Sequence, residues 1–204
     1  MSGFRPHGAP GRGRRARRAV FLDKDGTLVE DLRYNADPAR IRAAPGAAEA
    51  LRRMHAAGFL LVVVSNQAGI ALGLFSESAM TAVRSRIESI ARDAGAELTD
   101  FRYCPHHPEG RIERFAVACA CRKPEPGMIL DAAREHGIDL AGSWLIGDIL
   151  DDVEAGRRAG CTTILLENDN ETEWRLGPYR FPHWTAADLQ EAATIVTRHA
   201  RGAA

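Results

Sequence analysis

Apolar residues in this chain fall into two spacings that take turns along its length. Ala19-Val20-Phe21-Leu22 is a short apolar run ending at Asp23-Lys24-Asp25, which predicts a buried parallel strand whose carboxyl end opens into a site. Residues 45–57 place Ala47, Ala50, Leu51 and Met54 at helical spacing, with Pro45 at the start and Gly58 beyond the end. That is a helix bounded by both stop signals. Residues 59–64, Phe-Leu-Leu-Val-Val-Val, are too short and too β-branched for another helix and predict a central strand. Residues 76–94 predict the next helix, with Ser76 as N-cap and Gly95 closing it, and residues 99–103 a third strand.

Beyond a loop containing Cys and His, the pattern predicts a helix over 127–136, a strand over 143–146, a helix over 152–159 and a strand over 162–166. The signal then weakens. Trp174, Tyr179, Phe181 and Trp184 stand among Gly, Pro and polar residues, and predict a segment pinned on the sheet edge by aromatic anchors. Residues 188–197 predict a final helix, with Ala186, Leu189, Ala193 and Val196 near one face. Strand and helix alternate throughout, so the fold class is α/β: a mostly parallel sheet in a three-layer sandwich, with right-handed crossovers and helices on both faces. Ligands in such sheets bind beyond the carboxyl ends of the strands.

Composition sharpens this picture at the ends of the chain. With 204 residues, 22.2 kDa and 45% apolar residues, the chain has the size of one domain, and no apolar run approaches the about eighteen residues that crossing a bilayer needs. The 27 basic and 27 acidic residues balance, yet the first eighteen residues hold six arginines and no acid, leaving 21 basic against 27 acidic residues in the remainder. Residues 1–18, rich in Gly and Pro, are expected to be a disordered basic tail, and residues 19–200 a single folded domain. The tail has the charge to touch nucleic acid or anionic lipid, but an acidic body is a poor nucleic-acid surface. Arg17-Arg18 leads directly to Asp23-Lys24-Asp25 with no long apolar stretch between, so no export signal is read and a cytoplasmic, membrane-free and monomeric protein is expected.

The strand ends carry the candidate chemistry. Asp23 and Asp25, two residues apart at a strand tip, project from one side, so that one can attack phosphorus while the other moves protons. Gly26 then permits a sharp turn. Ser65-Asn66-Gln67 closes the second strand with a hydroxyl and two amides for phosphoryl oxygens. Arg122-Lys123-Pro124 brings a planar donor fork and a compact positive charge, both suited to an anion. Gly147-Asp148, followed by Asp151 and Asp152, supplies a carboxylate that can complete an oxygen-ligand set for Mg²⁺.

Three of four cysteines share one loop. Cys104-Pro-His106-His107-Pro and Cys119-Ala-Cys121 provide the ligands of a closed tetrahedral structural zinc site over residues 104–121; the alternatives are reduced loop cysteines or a Cys119/Cys121 redox pair. Spacing leaves His106 and His107 as competing ligands. Cys161, between a helix and an apolar strand, reads as a small buried hydrophobe.

Asp23-x-Asp25-Gly26-Thr27, Ser65, Lys123 and Gly147-Asp148 with Asp152 stand in the order and spacing of the four motifs of the haloacid dehalogenase (HAD) superfamily, which the chain resembles from about residue 19 to 166. The resemblance implies a HAD-like Rossmannoid fold with Asp23 as nucleophile and Asp25 as general acid/base. Ser65 and Lys123 would hold the phosphoryl group, and Mg²⁺ would sit between Asp23, the backbone carbonyl of Asp25 and Asp148. The zinc loop, Cys-Pro-His-His-Pro followed by Cys-x-Cys-Arg-Lys-Pro, is similar to that of the D-glycero-D-manno-heptose 1,7-bisphosphate 7-phosphatases, with the histidinol-phosphatase domain as nearest relative. That similarity implies Cys104, His106, Cys119 and Cys121 as zinc ligands and a phosphosugar substrate losing its 7-phosphate on the route to nucleotide-activated heptoses. It also implies Arg122 in substrate recognition, Asn66 on phosphate or sugar, and Asp31 and Tyr34 lining the substrate. Ile149 stands where many members carry a basic residue, and Val29 where a polar Asn is common.

Only 37 residues separate Thr27 from Ser65 and 57 separate Ser65 from Lys123, most of them spent on helix, strand and zinc loop, so no large cap domain is expected. Rival readings are hydrolysis of histidinol phosphate or another small phosphate ester, and a non-catalytic zinc module binding nucleic acid. A phosphomutase is disfavoured, because nothing could exclude water.

Overall fold

The computed structural model describes residues 17–172 and 174–202. Four strands expected to be buried on both faces form the middle of a parallel sheet: β1 (Ala19–Leu22), β2 (Leu60–Asn66), β4 (Trp144–Gly147) and β5 (Thr162–Leu166). With β3 (Leu98–Cys104) and β6 (Trp184–Ala186), the order is β3-β2-β1-β4-β5-β6, every pair parallel. Five helices cover it: α1 (Ala47–Ala56), α2 (Ala79–Asp93), α3 (Gly127–His136), α4 (Leu150–Ala159) and α5 (Leu189–Gly202).

The two faces of β1 sort the core. Val20 and Leu22 pack with α1, α2 and α5 residues such as Leu51, Ile87 and Val196, whereas Ala19 and Phe21 pack with Met128, Ala132 and Ala155 of α3 and α4. Two-residue alternation thus divides one continuous apolar run between two helical layers. Because β1 lies between β2 and β4, Asp23 at its tip is flanked by the ends of both neighbours.

Four expectations need correction. Arg17 and Arg18, placed in the tail, belong to the folded part: the Arg17 carbonyl accepts from Asp139 N–H at 2.8 Å, and the Arg18 guanidinium lies 4.9 Å from the centre of the Phe59 ring. The rest of the expected tail lies outside the described residues. Helix α2 starts at Ala79 rather than at a Ser76 cap, and the Ser76 hydroxyl meets that of Ser78 instead. Three of the four expected aromatic anchors are not anchors: Trp174 is 64% exposed, and Tyr179 and Phe181 are also exposed, whereas Trp184, the first residue of β6, sets its ring 4.8 Å from that of His199. Finally, the edge is made by β6 itself, a three-residue strand in which Ala186 alone is buried, too short to show a pattern. Among the described residues no helix is long and apolar enough to cross a membrane.

Gly156 lets α4 approach the sheet. A Cβ there would lie 2.6 Å from Thr163 Cγ2 and 2.9 Å from Leu145 Cβ. Gly→Ala in a helix interior ordinarily stabilises by about 1 kcal/mol. Gly156→Ala is expected to have the opposite sign, losing about 1–3 kcal/mol to overpacking, which a thermal melt reads as a drop of roughly 2–12 °C for a chain of this size.

Candidate active site and metal centre

The strand tips converge on one buried ammonium. Lys123 is 2% exposed, and its Nζ lies 2.5 Å from Asp23 Oδ1, 2.5 Å from Asp152 Oδ1 and 2.9 Å from the Val64 carbonyl, to which it donates. Burial disfavours its charge, but Asp152 and Asp23 outweigh that and raise its pKa above the ordinary lysine value. Its main chain is clamped as well. Asn66 Nδ2 donates to the Lys123 carbonyl and Asn66 Oδ1 accepts from the Lys123 N–H, both at 3.0 Å. Asn66, expected on phosphate or sugar, therefore has its amide committed to holding the Lys123 peptide.

Asp23, Asp148 and Asp152 bring carboxylate oxygens within 4.8 Å of one another, all buried. Burial first, then the charges of Asp23 and Asp152, pushes Asp148 up to about 8. The hydrogen bonds recorded to it come from neutral groups: Thr27 Oγ1 at 3.3 Å and Asn170 Nδ2 at 2.7 Å. Asp152 has Lys123 on Oδ1 and the Ile149 N–H on Oδ2 at 3.4 Å, so its side chain is spent on positioning. Hard oxygen donors carrying excess negative charge are the chemistry of a small divalent cation, and Asp148 with Asp23 fits that requirement.

Asp25 stands beside this cluster, partly exposed. Its Oδ1 contacts Lys24 Nζ, and its Oδ2 accepts from Gln67 Nε2 at 3.2 Å. Burial raises its pKa against the pull of Lys24, and Asp23 adds to the rise. The same Gln67 nitrogen donates to Ser65 Oγ at 2.8 Å. Gly26 has φ +75°, and a Cβ there would sit 2.0 Å from Asp148 Oδ2, so the turn after Asp25 admits glycine alone.

The loop after β5 also reaches the site. Asn168 Nδ2 donates to the Gly26 carbonyl at 2.7 Å, Asn170 holds Asp148, and Glu171 Oε2 accepts from the Leu150 N–H at 2.6 Å. Sequence reasoning missed these residues. The signal was an Asn-Asp-Asn-Glu run directly beyond a strand's carboxyl end, where sheet ligands collect.

Arg122 Nη1 donates to the His106 carbonyl at 3.3 Å, linking it to the Cys/His loop. Asp31 is exposed and lines a cleft of about 410 Å³ with Gly26, Thr27, Asn168, Asn170 and Asp188. Tyr34 is exposed, its ring paired with the Arg33 guanidinium at 5.1 Å rather than with the carboxylates. Val29, where a polar residue is common, is 2% exposed and packs in the core.

Cys104, His106, Cys119 and Cys121 gather in one group, and His107 does not join it: its Nδ1 accepts from the Glu109 N–H at 3.2 Å. The paired distances within the group, with His106 presenting Nδ1, run from 3.1 to 3.5 Å. A disulfide requires about 2.05 Å, whereas ligands about 2.0–2.3 Å from a tetrahedral zinc stand roughly 3.5–3.8 Å apart. The set fits the metal and not the bond. The contact between Cys104 and Cys121 leads in pushing the Cys121 thiol down to about 5 and the Cys104 thiol up.

Comparison with known proteins agrees with this geometry. A HAD hydrolase-like family model matches residues 120–192. The chain is 40% identical over 154 residues to the D-glycero-beta-D-manno-heptose-1,7-bisphosphate 7-phosphatase of Rhodopseudomonas palustris, covering 76% of this chain and 86% of that one. It is 37% identical over 183 residues to the protein of the same name from Escherichia coli K12, covering 85% and 92%. Among solved structures, D,D-heptose 1,7-bisphosphate phosphatase from B. bronchiseptica, complexed with magnesium and phosphate, superposes with a TM-score of 0.74 at 30% identity, covering 89% of this chain and 99% of that one. Identity at this level across most of the length of both sequence relatives makes the chain a member of the family of D-glycero-β-D-manno-heptose-1,7-bisphosphate 7-phosphatases, within the HAD-like hydrolases.

Proposed function

We propose that this chain is a Mg²⁺-dependent phosphoric monoester hydrolase that removes the 7-phosphate of D-glycero-D-manno-heptose 1,7-bisphosphate. The observation that carries the reading is the meeting of Asp23 and Asp148, each at a strand end, with Lys123 from the turn before α3, and with Asp25 and Ser65 joined beside them through Gln67. Asp23 Oδ attacks phosphorus and becomes an acyl phosphate, while Asp25 delivers a proton to the departing sugar oxygen. Asp25, now ionised, then takes a proton from the water that hydrolyses the acyl phosphate. Lys123 and Ser65 hold the equatorial oxygens, and Lys123 keeps its charge because Asp152 stays beside it. Asp23, the Asp25 carbonyl and Asp148 would hold Mg²⁺, which supplies neutralisation of phosphoryl charge when bound.

Cys104, His106, Cys119 and Cys121 hold a structural zinc in this reading, and the protein works in the cytoplasm, where thiols stay reduced. A zinc held by these four residues would fix Cys121 two residues before Lys123 and so orient the loop on which Arg122 recognises the substrate. Asp31 and Tyr34 lie on the loop over residues 28–44, which shapes the sugar side of the pocket. Hydrolysis of histidinol phosphate is the rival substrate assignment on the same machinery.

Phosphate release with Mg²⁺ from both anomers of the heptose bisphosphate, beside histidinol phosphate, tests the assignment. One heptose anomer is expected to be the fastest substrate, and Asp23→Asn to lower its turnover at least about a thousandfold. Release from histidinol phosphate alone would discard the heptose, and release unchanged in Asp23→Asn would discard the mechanism. Elemental analysis of purified protein is expected to find one zinc per chain. Cys121→Ser is expected to lose that zinc and lower Tm by at least about 5 °C, the equivalent of roughly 1–3 kcal/mol; full zinc content in that variant would overturn the ligand assignment.

A further inference from the structure

We propose that Gln67 is a positioning residue for the reaction, one buried amide that both aims the proton-transferring carboxyl of Asp25 and directs the hydroxyl of Ser65. The inference rests on the phosphatase reading above. Gln67 follows β2 by one residue and is 5% exposed. Its own N–H donates to the Cys104 carbonyl at 2.8 Å, and its carbonyl accepts from the Ile70 N–H at 3.2 Å. With the main chain fixed on both sides, the side chain leaves from a defined place. A strand's two-residue period also puts it on the side of Ser65 and opposite Asn66.

A carboxamide nitrogen carries two hydrogens. Gln67 Nε2 lies 2.8 Å from Ser65 Oγ and 3.2 Å from Asp25 Oδ2, so one hydrogen serves each. The Ser65 hydroxyl has one hydrogen to give, and accepting from Gln67 frees that hydrogen to donate toward a phosphoryl oxygen instead of back to its neighbour. Asp25 is gripped on both oxygens, by Lys24 on Oδ1 and Gln67 on Oδ2, which fixes the plane of its carboxyl. An uncharged amide donor suits this task through a whole turnover. It has an oxygen to donate to whether Asp25 is ionised or protonated, and it does not titrate itself. Gln67 thus acts through Asp25 and Ser65 without touching the reacting atoms.

Gln67→Met keeps the length and removes the donor. The measurement is kcat/KM for the heptose bisphosphate, an alkyl ester whose leaving oxygen needs a proton, against 4-nitrophenyl phosphate, whose leaving group departs without one. A misaimed acid is expected to lower the first by about tenfold or more and the second by less than about threefold, since general acid catalysis contributes roughly 10²–10⁴. A set of aryl phosphates is expected to show a steeper dependence on leaving-group pKa in the variant. Gln67→Asn, which keeps the amide but withdraws it by one methylene, is expected to shift the same ratio. Thermal melts accompany both, so that a variant that fails to fold is replaced by the other. Equal loss on both esters in a folded variant would overturn the aiming of Asp25, and no loss on either would overturn the role of Gln67 altogether; both outcomes leave the phosphatase reading standing. Absence of Asp23-dependent release from every ester by the unsubstituted protein would overturn the phosphatase reading, and this inference with it.

Discussion

Everything at the strand tips is arranged around the buried Lys123 ammonium. Taking such a group out of water costs several kcal/mol unless partners replace its hydration, and three do: Asp23, Asp152 and the Val64 carbonyl. Those partners come from the ends of β1 and β2 and the first turn of α4, so the ion contacts tie together elements far apart in sequence. The requirement runs through the backbone as well. Asn66 clamps the Lys123 peptide, and Gly147 has no space for a side chain, because a Cβ there would lie 2.3 Å from that of Asp152.

One ammonium does not balance three carboxylates. With all three ionised, Asp23, Asp148 and Asp152 against Lys123 carry an excess of two negative charges in a buried space, and burial first, then that repulsion, pushes the pKa of Asp148 up to about 8. A substrate phosphate would add more negative charge to the same place. In the proposed reading a divalent cation resolves both problems together, since it matches the excess and gives an incoming anion something to approach. Asp152 cannot share in that duty while it holds Lys123. The division of labour among chemically identical carboxylates therefore follows from where each one's partners are: Asp148 among neutral donors, Asp152 against the ammonium, and Asp23 between the two.

The layers and the site's location were legible because strands buried on both faces leave uninterrupted apolar runs, and a charged motif at the end of such a run marks a strand tip. Asp23, Asp25, Ser65 and Asp148 stand at such junctions, and Lys123 in the turn that opens α3. What the sequence hid depended on long-range partners. Asn66 and Gln67 look alike as neighbours, yet one turns toward the Lys123 peptide and the other toward Asp25, and only the strand's alternation separates them. Asn168 and Asn170 act on Gly26 and Asp148 from more than a hundred and twenty and about twenty residues away, through single hydrogen bonds that leave no periodic trace. Edge strand β6 was illegible for a different reason: Trp184 and Thr185 are exposed, so it carries no apolar pattern to read.

The absence of a large cap among the described elements changes how such a site could choose its substrate. A capped enzyme selects by closing, whereas here the pocket walls are loops fixed to the same sheet as the reacting groups. The Cys/His loop is seated against the start of α3, where the Gly127 N–H donates to the Ala120 carbonyl at 2.9 Å and a Cβ on Gly127 would come within 2.3 Å of that oxygen. On the opposite side, the loop after β5 is tied to Gly26 and Asp148. Val29 is sealed in the core and cannot read a substrate, while Ile149, partly exposed at the start of α4 beside Asp148, stands where a side chain can. In the proposed reading selectivity comes from preformed contacts, with Asp31 and Asp188 lining the cleft by the loop after β5 and Arg122 held on the Cys/His loop. Rigid walls discriminate well among sugars that differ in where a hydroxyl points, since a misplaced hydroxyl leaves a wall donor or acceptor unpaired.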